Sequence, residues 1–246
     1  MPSPLRVDLS TPDGVMDAYV ARPAGDGPWP AVVLFMDAFG IRDALLAMAA
    51  RLASAGYVVA VPNLYYRSGE FAPFDPVQVA AGGAERDRFK GMIGSITNTL
   101  IMRDTAVLLE HLDVDTSVRG GAMGVVGYCM GGGYALCAAG TFPDRIAAAA
   151  IFHAGSLATD KPDSAHLLAG RIRARLYLGI AGIDPTFDQA QRERLENALT
   201  NAGVDYTLEV YEGAKHGFAV TGHLVYDEPS SERHWANLLR LFEDTL

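Results

Sequence analysis

Apolar residues along this chain fall into two kinds of run, and the two alternate. Short, nearly unbroken runs read as strands buried on both faces: AVVLFMDA from Ala31, YVVAVPN from Tyr57, MGVVGYC from Met123, IAAAAIFH from Ile146 and ARLYLGIAG from Ala174. DYTLEVYEG, ending at Gly213, reads as the last strand. Between them lie longer stretches whose apolar positions recur at helical spacing, including DALLAMAARLASAG (Asp43–Gly56), a segment from about Ser95 to Leu112, and MGGGYALCAAG from Met130. PTFDQAQRERLENALTNAG, closed by Gly203, and the final SERHWANLLRLFEDTL complete the helices. LRVDLST and MDAYVARP predict a hairpin around the turn at Pro12–Gly14.

From Leu64 to about Gly94 the pattern blurs, with Pro73, Pro76, Gly82 and Gly83 interrupting it. That predicts a long irregular segment of the kind that often carries function. Elsewhere the alternation predicts an α/β fold with a mostly parallel, doubly wound sheet and helices on both faces. No internal repeat, low-complexity tract or linker divides the sequence, so residues 1–246 are expected to form one domain.

Charge narrows the choice of partners. A formal net charge of −9, with the cationic residues scattered, argues against nucleic acid, whose phosphates need clustered Lys and Arg. No apolar run reaches membrane-spanning length, and MPSPLRVDLS lacks a signal-peptide core, which predicts a cytoplasmic protein without membrane partners. Cys129 and Cys137 are eight residues apart. If helical, that spacing rises about 12 Å, too far for a disulfide. Neither C-x-x-C nor H-E-x-x-H occurs, and no metal or cofactor is expected.

The chemistry gathers at strand ends, where ligands bind in parallel sheets. Cys129 sits between Gly127 and Gly131 at the corner from strand to helix. This is the G-x-S-x-G nucleophile-elbow pattern with cysteine at its centre, and the positive end of the helix favours a thiolate there. The same glycines could instead serve close packing around a small thiol. Cys137, among apolar neighbours on the helix, reads as core.

A cysteine nucleophile needs a base, and the base an orienting acid. In chain order after Cys129 come Asp184, just past one strand, and His216, just past the last. Asp184 could equally cap the helix that starts at Pro185. Of the other histidines, His111 and His234 read as helix positions and His166 and His223 as loop residues. His153 ends a strand but precedes the acid. The oxyanion donors expected for such a site are the N–H groups of Met130 and Ala38.

DAFG (Asp37–Gly40), VPNLYYR (Val61–Arg67), GYCMGG (Gly127–Gly132), the Asp184 loop and KHGF (Lys215–Phe218) resemble the dienelactone hydrolase family over nearly the whole chain. The resemblance implies an α/β-hydrolase fold and a small-molecule lactone or ester as substrate. In it Cys129 attacks the carbonyl, His216 moves the proton and Asp184 holds the imidazole. It also implies a nucleophile-tuning role for Asp37, where the family often has glutamate, and a substrate-binding role for Arg86. Val220 stands where members acting on dienelactone carry an arginine, so a substrate carboxylate is expected to matter less here. Two other readings stay open on sequence: a thioesterase or acyltransferase using the same residues, and a non-catalytic binding protein of the same fold.

Overall fold

The computed structural model describes residues 2–246, which divide into two compact units. One comprises the described residues up to Gly120 together with Gly222–Leu224. The other comprises Gly121–Thr221 and Val225–Leu246.

In the first unit, β1 (Leu5–Thr11) and β2 (Gly14–Ala21) form the expected antiparallel hairpin, closed where Thr11 pairs with Gly14. β2 then pairs antiparallel with β4 (Val58–Pro62), and β4 pairs parallel with β3 (Ala31–Phe35), giving the order β1-β2-β4-β3. Every residue of β3 and β4 is buried, which is why both read as unbroken apolar runs. The crossover between them is α1 (Asp43–Ser54), which buries Leu45, Met48, Ala49, Leu52 and Ala53 at helical spacing.

The blurred segment is more regular than its pattern suggests. It holds a 3-10 turn at Tyr66–Ser68 and two helices, α2 (Pro76–Ala81) and α3 (Gly83–Gly94). Asp75 caps α2 by accepting the Val77 N–H, and Pro76 occupies the first turn, where its missing N–H costs nothing. Gly82 and Gly83, with φ of 95° and 69°, make the break between the helices. No residue of α3 is buried, so no apolar stripe marks it in the sequence. α4 spans Asn98–Val114, starting after the Ser95 of the sequence reading because Thr97 is its N-cap and accepts the Leu100 N–H.

In the second unit, β5 (Met123–Tyr128), β6 (Ile146–Phe152), β7 (Arg175–Ile183) and β8 (Tyr206–Lys215) run parallel in that order. Three helices accompany them: α5 (Met130–Thr141), α6 (Gln189–Asn201) and α7 (Glu228–Thr245). α7 buries His234, Trp235, Leu238, Leu241 and Phe242 along one face. At about 1.5–3 kcal/mol for each large apolar side chain removed from water, such faces hold the helices to the sheet.

The corner from β5 into α5 decides where the first candidate residue stands. A Cβ on Gly127 would lie 2.0 Å from the Gly131 carbonyl oxygen, and one on Gly132 would lie 2.5 Å from the Ala154 Cβ. Strand and helix therefore approach more closely than any side chain allows. Gly133, by contrast, has no atom within 4 Å of its added Cβ. Gly127→Ala is expected to destabilise the protein by about 2–3 kcal/mol or more through overpacking against backbone. Gly133→Ala, at an open helical position, should stabilise it by about 0.5–1 kcal/mol. Urea denaturation midpoints of the two variants check both signs.

Candidate active site

Cys129 is the N-cap of α5 and takes φ 54° and ψ −119°, a conformation rare for a residue with a Cβ. Backbone strain of this kind costs about 1–3 kcal/mol and persists only where the surroundings impose it. Here the restraints are visible. The Cys129 N–H donates to the Phe152 carbonyl at 3.1 Å, and its own carbonyl accepts the Gly132 N–H at 3.1 Å. The side chain is half-buried, while Cys137 is fully buried within α5. Burial, aided by the Asp163 charge, pushes the Cys137 thiol up to about 12, which makes it inert packing. Both thiols are free.

His216 follows directly on β8, and its N–H donates to the Ile183 carbonyl at 3.2 Å. That bond sets the imidazole beside the loop after β7. Its Nδ1 lies 2.6 Å from Asp184 Oδ2. The other carboxylate oxygen, Oδ1, accepts the Thr186 N–H at 2.8 Å and the Thr186 hydroxyl at 2.6 Å. Asp184 thus has one oxygen for the imidazole and one for its own loop. The helix-capping alternative belongs to a different residue: α6 is capped by Asp188, which accepts the Gln191 N–H at 2.9 Å. Thr186, which the sequence reading did not single out, fixes the carboxylate in place.

Burial would lower the His216 pKa, but the hydrogen bonds to Asp184 and to the Cys129 sulfur outweigh it and push it up to about 10. Asp184 moves in the complementary direction. Burial would raise it, yet the contact with His216 and the Thr186 donors hold it below the usual carboxylate value. Cys129, His216 and Asp184 are therefore brought together within one unit, with Nδ1 turned to the acid and the sulfur close enough to raise the ring's pKa. His153, the competing histidine, is buried with φ 38° and packs edge-on against His216 and Phe218, at ring centroid distances of 5.6 and 5.1 Å. It forms a wall of the site. Met130, the residue after the cysteine, is the first of α5.

The loop after β3 belongs to the other unit and carries Asp37 and Ala38. Asp37 is fully buried. Arg42 grips both of its oxygens, at 2.6 and 2.7 Å, and His223 Nε2 lies 3.2 Å from Oδ2 and 2.9 Å from Arg42 Nη2. Burial alone would raise the Asp37 pKa; the contacts from His223 and Arg42 prevail and hold it down to about 2. Arg42 and His223 were not legible as partners, since five and 186 residues separate them from Asp37 and no motif joins them. Arg86, at the start of α3, donates from Nε to the Val79 carbonyl at 3.0 Å and from Nη2 to Ala80, so it closes the end of α2. Val220 is fully buried and presents no charge.

Among the described residues there is no cluster of His, Cys, Asp and Glu suited to a metal, and no helix long and apolar enough to cross a membrane. The arrangement has the parts for acyl transfer: a sulfur at a strained corner, an imidazole against it and a carboxylate behind the imidazole.

Known proteins support the same class. A Synechocystis sp. protein named as a candidate carboxymethylenebutenolidase is 25% identical over 234 residues, covering 93% of this chain and 91% of the relative. A candidate carboxymethylenebutenolidase of Escherichia coli K12 is 28% identical over 236 residues, 93% of this chain and 82% of the relative. Among solved structures, a Klebsiella pneumoniae protein described as a candidate dienelactone hydrolase superposes with a TM-score of 0.85, covering 98% of each chain at 22% identity. At that identity the likeness speaks for a shared α/β-hydrolase fold. Residues 16–246 match the dienelactone hydrolase family, and the chain belongs to that family.

Proposed function

We propose that this dienelactone hydrolase-like hydrolase of lactones works through an acyl-thioester on Cys129. The observation that carries the proposal is the 2.6 Å contact of His216 Nδ1 with Asp184, which leaves the rest of the imidazole to the sulfur. In this reading the Cys129 thiolate attacks the carbonyl carbon, forming a C–S bond, and the carbonyl π pair moves to oxygen. The N–H of Met130, the first residue of α5, receives that oxyanion. Collapse breaks the C–O bond, and the His216 imidazolium gives its proton to the leaving alkoxide, or to the enolate oxygen of an opened lactone. The ring, now neutral, takes a proton from water as it attacks the thioester. Thiolate and imidazolium are restored.

Ala38, the second donor expected from the sequence, lies on the loop after β3 in the other unit, where its carbonyl accepts the Tyr65 hydroxyl at 3.0 Å. The names of the relatives point to butenolide-type lactones as the substrate class. Val220 speaks for substrates without a strict need for a carboxylate, and Arg86 could serve one only in competition with the α2 carbonyls.

Cys129→Ala is expected to lower turnover of aryl esters and enol lactones about 10³-fold or more with the fold intact. Neutral and carboxylate-bearing substrates should be lost alike, and the wild type should not require the carboxylate. Retained activity in the variant would overturn the proposal. A second outcome concerns stability. A histidine raised from about 6.5 to about 10 on folding contributes fully below pH 6.5, and that contribution is lost as pH rises through about 10. The wild type should therefore exceed His216→Gln by on the order of a few kcal/mol at pH 6, with the gap closing above pH 10. Denaturant titrations at several pH values measure it; a gap independent of pH would contradict the assignment.

A further inference from the structure

We infer, on the acyl-transfer reading of the preceding section, that Thr186 is a positioning residue of the acid–base pair. Its hydroxyl holds one oxygen of Asp184 so that the other faces His216, and the loop after β6 (residues 153–156) holds Thr186 in turn. Every residue involved lies in the second unit.

The Asp184 side chain is 1% exposed, which leaves water little part in fixing it. A carboxylate turns easily about its last bond, and a donor at each oxygen is what stops that rotation. His216 Nδ1 stands 2.6 Å from Oδ2. Oδ1 takes two donors from Thr186, the N–H at 2.8 Å and the hydroxyl at 2.6 Å. The N–H closes the turn that an aspartate makes with the backbone two residues on, and any residue but proline would supply it. The hydroxyl is threonine's own addition. It also lies 3.4 Å from His216 Nδ1. A carboxylate only accepts, so Nδ1 is the donor to Oδ2. The hydroxyl, its one proton spent on Oδ1, turns lone pairs to that same N–H. Thr186 thereby touches both members of the pair and favours the tautomer with the proton on Nδ1.

What places Thr186 comes from β6. His153 takes φ 38° and Ser156 φ 56°, left-handed conformations for residues with side chains, so the loop is strained at both ends. The contacts that impose this strain run to the site. The His153 N–H donates to the Gly179 carbonyl at 2.8 Å, and its ring stands edge-on to His216. The Ser156 N–H donates to the Thr186 carbonyl at 2.9 Å, and Gln191 Nε2 donates to the same oxygen at 3.2 Å. Between them, Gly155 leaves a space that the Thr186 side chain fills. A Cβ there would lie 2.1 Å from Thr186 Oγ1 and 2.7 Å from its Cβ. A side chain at 155 would therefore push the hydroxyl off the carboxylate.

The test uses the full chain. Thr186→Val keeps the shape of the side chain and loses the hydroxyl, whereas Thr186→Ser keeps the hydroxyl. Turnover of p-nitrophenyl acetate is measured beside a ¹⁵N NMR titration of His216 in histidine-labelled protein, with the resonance assigned by its loss in His216→Gln. Positioning predicts that Thr186→Val lowers kcat about 10-fold or more and changes KM by less than about 3-fold. The His216 midpoint, about 10 in the wild type, should fall by about 1 or more as Asp184 loosens. Thr186→Ser should bring kcat back to within about 3-fold and restore the midpoint. Gly155→Ala, which displaces the hydroxyl without removing it, should move the midpoint in the same direction as Thr186→Val. Two results overturn the assignment: kcat and midpoint both unchanged in Thr186→Val, or kcat lowered with the midpoint in place, which would leave the hydroxyl a merely structural role in its loop. Should Thr186→Val fail to fold, Thr186→Ala and Thr186→Ser decide by the same comparison. Turnover surviving Cys129→Ala would instead defeat the underlying acyl-transfer reading, and the His216 midpoint would still test the placing of Asp184.

Discussion

The approach of two backbones at Gly127 and Gly131 constrains everything that follows in the second unit. With 2.0 Å between a hypothetical Cβ and a carbonyl oxygen, only glycine allows β5 to turn into α5 within a single residue. The residue at that corner must then adopt a positive φ, and its side chain is thrust out at the carboxyl end of the strand. Cys129 occupies the corner, so a stable parallel sheet carries the strain and presents a sulfur in return. The rest of that site is built from neighbouring strand ends: His216 from β8, Asp184 from the end of β7.

Two buried or nearly buried carboxylates show how environment divides labour between like groups. Asp184 is matched by one imidazole and by Thr186, and its partner's proton lies on the route of the proposed chemistry. Asp37 is matched by a guanidinium that does not give up its proton, at two oxygens at once. The first arrangement suits the proposed proton movement and the second resists moving. Removing one partner from a buried pair of the second kind typically costs about 3–5 kcal/mol, because the charge left behind has no water to turn to. The same distinction appears in the two cysteines: burial keeps Cys137 protonated, whereas Cys129 faces an imidazole.

What could be read from the sequence follows from where the side chains lie. Strands buried on both faces announce themselves as apolar runs, and β3 to β7 were legible for that reason, with β8 extending two residues beyond its sequence boundary to Lys215. The order of Cys129, Asp184 and His216 was legible because each follows a strand. Whether Asp184 caps the next helix was not, since an aspartate before a proline suits that task, and only the structure puts Asp188 at the α6 N-cap. α3 escaped the sequence reading because it buries no residue. His223 escaped it because its partner is 186 residues away, and the α2 carbonyls that Arg86 meets carry no sequence signal.

The central claim is that the reaction passes through a covalent bond to one sulfur, and capturing that species tests it most directly. Wild-type protein mixed with excess activated ester, quenched in acid within milliseconds and examined by intact-mass and peptide mass spectrometry should carry one acyl group on Cys129. Its amount should rise to a steady level as the burst of leaving group is released. Burst release with the acyl group on another residue, or turnover with Cys129 unmodified at every quench time, would contradict the account.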